Sequence, residues 1–200
     1  MKTEIRQPKQ ERSIEKKNKI ILASYELFSE VGYYGTNTAE IAKKAGVSTG
    51  IVYGYFQDKR DILICVLDLY IEKAFEPILR IFDTIKAPIN FETLLPKLLD
   101  AVIKIHRNNA KIHEALHSLT HTDEAVNNKF ISLEDDITLK IANKFKSLGI
   151  EIENFIEKIH FAMNILQSFA HEYVFDKHNY IDYVTMQKMV CKILVELFAK

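Results

Sequence analysis

The sequence predicts an all-α protein, with an N-terminal three-helix helix-turn-helix domain followed by a larger helical body, about nine helices in all. Three observations predict it. Gly and Pro are sparse, six and four among 200 residues, while 48% of residues are hydrophobic; that composition suits long helices better than strands joined by tight turns. Apolar residues recur at three- and four-residue spacing nearly from end to end. Residues 38–59 read as two short helices joined by a tight turn, followed by paired tyrosines and a lysine. A chain of this length can bury one substantial core or two linked smaller ones.

The elements follow in order. Residues 1–12 are charged and carry Pro8, and are expected to form a flexible basic arm. A first helix begins at Ser13 or Ile14, with Ile14, Ile21 and Phe28 on one face and Ile20, Leu27 and Val31 beside them; Gly32 stops it. Asn37 caps a second helix, and Glu40 three positions on completes a capping box. Ile41, Ala42 and Ala45 face inward, and Gly46 ends the helix. Ser48 is placed to cap a third helix, Thr49 to Phe56, and Asp58 a fourth, which Pro77 is expected to kink or end. Further helices are expected from Asn90 to about Arg107, over 109–120, over 124–147 with Gly149 closing it, and over 151–175 and 182–199. The apolar face of 151–175, including Ile152, Phe155, Ile159, Leu166 and Phe169, is wider than one core stripe, which implies burial on two sides.

Charge divides the chain. Residues 1–60 hold 11 Lys/Arg against 7 Asp/Glu, leaving 16 against 20 in residues 61–200, so a formally neutral chain has a basic end and an acidic body. This is the asymmetry expected when only one end meets phosphates. No apolar run is long enough for a membrane span, and the N-terminus lacks a signal-peptide core. Cys65 and Cys191 lie in apolar helical stretches, as small hydrophobes of a reducing compartment do. A cytoplasmic location is therefore expected.

Within residues 38–59, Ala42 is small where two helices would touch, Gly46 lies in the turn, and Ile41, Val47 and Val52 lock the second helix down. Tyr53, Tyr55 and Lys59 bracket the end of the third helix, where phenols and an ammonium can reach phosphate oxygens. The series Gly32…Gly35…Thr38…Ile41-Ala42…Ala45-Gly46-Val47-Ser48-x-Gly50…Tyr53-x-Tyr55-Phe56-x-x-Lys59…Leu63 resembles the N-terminal domain of the TetR/AcrR family of transcriptional regulators. The match covers about residues 14–65. The resemblance implies that Thr38 holds a phosphate at the start of the second helix, that Ser48, Thr49, Gly50 and Tyr53 line the face entering the major groove, and that Tyr55 and Lys59 clamp the backbone. Gly54 departs from the family pattern, which has a larger residue there.

The third helix carries no Arg, Lys or Asn, and Gln57 follows it, so the commonest bidentate base readers are missing. Specificity is expected to rest on Thr49, Tyr53, apolar contact from Ile51 and DNA shape, with Lys9, Arg12, Lys16 and Lys17 adding phosphate or minor-groove contacts.

Two patterns point elsewhere. His113-Glu114-Ala115-Leu116-His117 spells H-E-x-x-H on a helix, and His106 and His121 extend the histidine row. Two imidazoles one turn apart can share a zinc with the glutamate as base, which makes a metal-dependent helical-bundle enzyme the alternative reading. No third ligand is placed by spacing. Glu114-x-x-His117 with Glu157-x-x-His160 has the look of a di-iron bundle, but nothing selects the two further carboxylates. Helix-surface or pocket histidines account for both, and no cofactor, metal or catalytic residue is assigned.

The expected organisation is an arm (1–12), a DNA-binding domain (13–60) and a ligand-binding and dimerisation domain (61–200). The expected activity is regulation of transcription, as a repressor released from a palindromic operator by a small-molecule effector. A homodimer through 151–175 and 182–199 would set two reading helices in successive major grooves.

Overall fold

The structure is a computed structural model that describes residues 11–199. Among the described residues there are nine helices and no strand: α1 (Glu11–Glu30), α2 (Thr38–Ala45), α3 (Thr49–Tyr55), α4 (Lys59–Asp83), α5 (Phe91–Asn108), α6 (Ala110–Thr120), α7 (Glu124–Ser147), α8 (Phe155–Phe175) and α9 (Tyr183–Phe198). They form two compact units, residues 11–73 with 109–128, and residues 74–108 with 129–199. Helices α4 and α7 each supply residues to both.

In the first unit α1 packs against α2, α3 and α6. Its core is Ile20 and Phe28 of α1, Ile41, Val52 and Phe56 around the turn, Ile62, Leu63, Val66 and Leu67 of α4, and Ile112 and Leu116 of α6, all nearly free of solvent. Each such side chain contributes about 1.5–3 kcal/mol through burial. The α1 register differs from the expected one at its ends. Ile14 and Val31 are 45% and 56% exposed, because the core-facing stripe runs Ile20, Ala23, Ser24, Phe28. Glu11 and Arg12 are already helical; Lys9 lies outside the described residues.

Pro77 does not end α4, which runs on to Asp83. The N–H that proline lacks would have bonded the carbonyl of Lys73, and both residues lie on the exposed side of the helix, where water replaces that bond. Two carboxylates start the helix. Asp58 Oδ1 accepts the Asp61 amide and Asp61 Oδ2 accepts the Gln57 amide, both at 2.9 Å.

The second unit is built on α5, which packs against α8 and α9 through a face of Leu94, Leu95, Leu98, Leu99, Val102 and Ile103. Asn90 starts α5 by accepting the Thr93 amide, and Pro96 sits inside the helix. Helix α8 begins later than expected, at Phe155, because Asn154 adopts the left-handed conformation (φ 51°), so Ile152 precedes the helix. Asparagine tolerates that region better than most residues. The wide apolar face of α8 does divide into two sides. Ile159, Ala162, Leu166, Phe169 and Ala170 are buried, whereas Ile156 and Phe161 are about half exposed. Helix α9 repeats this, with Leu194 and Phe198 buried and Val184, Met189 and Ile193 more than half exposed. Cys65 and Cys191 are half-buried thiols. No helix among the described residues is long and apolar enough to cross a membrane.

Candidate nucleic-acid interface

Helix α2 is short, and its ends are closed by side chain and turn. Asn37 Oδ1 accepts the amides of Ala39 and Glu40, and Glu40 Oε2 accepts the amide of Asn37, all at 3.0 Å. At the other end Gly46 takes φ 68°, a conformation open to glycine without strain, and Val47 N–H closes on the Ala42 carbonyl. Ser48 stands at the N-cap of α3, but its side chain makes no capping bond there. Ser48 is exposed, and its hydroxyl is not committed to the helix start.

Hydrogen bonds to its neighbours hold α3 in place. Tyr53 OH and Thr38 Oγ1 are 3.0 Å apart, joining α3 to the first turn of α2. Tyr55 OH and Ser13 Oγ are 2.8 Å apart, joining the end of α3 to α1. Beneath them Val52 and Phe56 are buried, with the Lys17 ammonium 5.6 Å over the Phe56 ring. Ser48, Thr49, Gly50, Tyr53 and Gly54 remain exposed on one side, and Ile51 is half-buried on the flank. A Cβ on Gly54 would meet nothing within 4 Å, and one on Gly50 only Ser48 Oγ at 4.0 Å. Neither glycine is required by packing inside the protein.

Lys59 has an internal role that the motif alone does not disclose. Its ammonium donates to the carbonyls of Tyr33 and Thr36 at 2.7 and 2.8 Å and lies 4.3 Å over the Tyr33 ring. Burial lowers its pKa, with Glu40 acting in the opposite sense. An ammonium has three donors, and two are used to tie the α1–α2 loop to the start of α4.

Sequence reasoning also missed the contribution of α6 and its flanks to this unit. Tyr25 OH donates to Asn109 Oδ1 at 3.3 Å, the Lys111 ammonium donates to the Glu30 carbonyl, and Arg60 pairs with both oxygens of Asp123 at 2.5 and 2.8 Å. The Arg60 guanidinium holds the Asp123 carboxyl below its ordinary range. In the interior, Tyr70 OH and His113 Nδ1 share a hydrogen bond of 2.8 Å. These partners are 43 to 84 residues apart in sequence, and no local spacing signals them.

That placement also bears on the H-E-x-x-H pattern, whose His113 and His117 rings lie 5.2 Å apart on α6. His113 is buried and bonded to Tyr70, while Glu114, His117 and His121 are exposed. His106 belongs to the second unit, where its Nδ1 lies 2.9 Å from the Val102 carbonyl. Glu114 and His117 fall in the first unit, Glu157 and His160 in the second. Among the described residues no three His, Cys, Asp or Glu side chains are grouped to hold a metal ion.

The second unit contains an apolar cavity of about 70 Å³. Phe75, Ile78 and Phe82 of α4 form one wall, and residues of α5, α7, α8 and α9 the rest. Among the described residues Gln167 is the one amide side chain in the lining, and no charged residue lines it.

A family model described as "Bacterial regulatory proteins, tetR family" matches residues 20–66, which covers the second half of α1, all of α2 and α3 and the start of α4. The HTH-type transcriptional regulator HbdR of Aromatoleum sp. (strain CIB) is 34% identical over 128 residues, 58% of this chain and 55% of that protein. The fatty acid metabolism regulator protein of Bacillus subtilis (strain 168) is 43% identical over 67 residues, 34% of this chain and 33% of its own length. The chain thus spans about half or less of the length of these relatives. A TetR-family regulator from Mesorhizobium loti has the same fold across nearly the whole chain, with a TM-score of 0.73 at 20% identity, covering 95% of this chain and 98% of that one. The fatty acid degradation regulator FadR of Bacillus halodurans follows with a TM-score of 0.59 at 22% identity, covering 94% and 96%.

Proposed function

The chain belongs to the TetR family of bacterial transcriptional regulators, and we propose that it acts as a homodimeric repressor that an effector releases from a palindromic operator. The observation that carries this reading is the exposed side of α3. A seven-residue helix anchored by Val52, Phe56 and Tyr55 leaves Thr49, Gly50 and Tyr53 exposed, with Ser48 exposed just before it, and Tyr53 is steadied on that face by its bond to Thr38. Thr38, bonded to Tyr53, meets a phosphate at the start of α2, and Tyr55 and Lys59 meet the backbone beside it. Lys59 does so with the one donor its two carbonyl bonds leave over. Arg12, Lys16 and Lys17 of α1 supply further phosphate contacts.

One reading helix buries too little surface for tight specific binding, so two copies are needed. The half-exposed Ile156 and Phe161 of α8 and Val184, Met189 and Ile193 of α9 support a dimer through these two helices, which pack on each other within the protomer. Apolar side chains of that size on adjacent helices favour burial against a second copy.

The cavity supports the effector half of the reading. An engineered cavity of about 150 Å³ accepts a benzene molecule, so an effector even of that size must push apart the walls of a 70 Å³ cavity. Phe75, Ile78 and Phe82 form one of those walls, and they lie on the helix that begins at Lys59. The effector acts by preferring a displaced α4, and its influence on operator affinity equals its own difference in affinity for the two states.

The test is enrichment of double-stranded DNA from a random-sequence pool. The expected product is an inverted repeat with half-sites about one helical turn apart. Thr49→Ala and Tyr53→Ala should each weaken binding to it about tenfold or more, at about 1–3 kcal/mol per lost contact. Recovery of no sequence above background, or unchanged binding by both variants, would overturn the reading.

A further inference from the structure

We propose that the cavity of the second unit takes an uncharged, mainly hydrocarbon molecule that carries one hydrogen-bonding group, which Gln167 meets. This rests on the reading of that cavity as the effector site. The inference comes from what the lining contains and how its rings are arranged.

The lining is almost wholly carbon. Ile, Leu, Val, Ala, Met and Phe side chains surround the space, and among the described residues neither a carboxylate nor a basic group lines it. An ion entering it would give up its hydration without gaining a counter-charge, which is among the most unfavourable exchanges a protein interior can make. Anionic and cationic ligands are both disfavoured on this ground.

Aromatic rings can hold a quaternary ammonium when their faces converge on one point. Here they do not. Phe91 and Phe198 stack on each other at 5.0 Å and 6°, and Phe145 packs against Phe155 at 4.9 Å and against Phe91 at 6.0 Å. Phe155 in turn meets Phe198 edge to face at 6.1 Å. These four rings have one another as partners, which leaves less of their faces for a shared electron-rich cage.

Gln167 is what prevents the site from being a pure hydrocarbon slot. It lies on α8 one residue after the buried Leu166, and its amide has two donors and one acceptor. A ligand hydroxyl, ester, ketone or amide can pair with it, whereas a bare alkane leaves it without a ligand partner. Thr138, the nearby hydroxyl on α7, is directed instead to the Met163 sulfur at 3.5 Å. The cavity therefore selects for a body that is apolar and a single neutral polar group.

The experiment uses the full chain and a series sharing one chain length: octan-1-ol, octane, octanoate and octyltrimethylammonium at neutral pH. Displacement of the fluorescent probe N-phenyl-1-naphthylamine reports occupancy. Octan-1-ol should displace the probe at a concentration at least tenfold below either ion. In Gln167→Leu its advantage over octane should shrink at least fivefold, with octane itself unchanged. Ala162→Phe, which fills the cavity, should abolish displacement; Ala162→Leu serves the same purpose if the larger change prevents folding. Either ion matching octan-1-ol, or displacement that survives both filling variants, would overturn the proposal. If octan-1-ol binds as expected but affinity for the enriched DNA is unchanged, the ligand chemistry stands and the effector role fails.

Discussion

Both units have apolar cores, but the two candidate sites are shaped by different kinds of contact. Around α2 and α3 the outward side of the unit is set by hydrogen bonds with defined partners: Asn37 and Glu40 on each other's amides, Thr38 on Tyr53, Ser13 on Tyr55, Lys59 on two loop carbonyls. Around the cavity almost every position is set by packing of one apolar side chain on another. Hydrogen bonds lose strength steeply with distance and angle, so the first arrangement is directional and rigid. Packing is non-directional, and apolar walls can shift and re-form around a guest at modest cost. The surface proposed to match DNA is thus built from the rigid kind, and the space proposed to admit a ligand from the adjustable kind.

The largest expected effect falls on the packed unit. Phe145→Ala removes a ring that touches Phe82, Phe91 and Phe155, and should cost about 3–5 kcal/mol in chemical denaturation. If octan-1-ol restores part of that loss, the walls are adjustable as argued; no restoration would count against it. The next falls on the head. Lys59→Met leaves the Tyr33 and Thr36 carbonyls without their donor and should cost about 2–3 kcal/mol. It should also raise amide exchange in the α1–α2 loop, which would stay unchanged if Lys59 served DNA alone.

Asn37→Ala removes the acceptor for two α2 amides, an expected loss of about 1 kcal/mol, visible as faster exchange confined to α2. The smallest effect has the opposite sign. Gly54 is helical, and a Cβ there meets nothing within 4 Å, so Gly54→Ala should stabilise the head by about 0.5–1 kcal/mol. A destabilised Gly54→Ala variant would mean that the reading helix is constrained in a way its contacts do not reveal.

Legibility followed the range of the interactions. The capping box at Asn37–Glu40, the turn at Gly46 and the bounds of α6 and α7 depend on residues within a few positions of each other, and periodicity and capping chemistry place them closely. Pro77 was misleading because a local rule about proline does not register that the residue sits on a solvent face. The start of α8 was placed too early because the apolar period continues back to Ile152 across an asparagine that leaves the helical conformation. The H-E-x-x-H row has the right period for a shared metal, and the His113 and His117 rings do lie 5.2 Å apart, yet His113 Nδ1 is bonded to Tyr70 and no third ligand joins the pair among the described residues. A period assigns residues to a face; it does not decide what covers that face.

By itself, then, the sequence determined the all-α class and the helix-turn-helix, because these follow from spacing, caps and the intrinsic freedom of glycine; the outward residues of its third helix were implied by the family resemblance. Only the tertiary structure decided that Lys59 ties a loop, that α6 joins the first unit through Tyr70–His113 and the turn after it through Arg60–Asp123, and that six phenylalanines enclose a cavity beside Gln167 with no charged side chain among its described lining. Those features depend on pairs tens of residues apart. Their energy exists only once the chain has closed the intervening loops, and no short window of residues contains it.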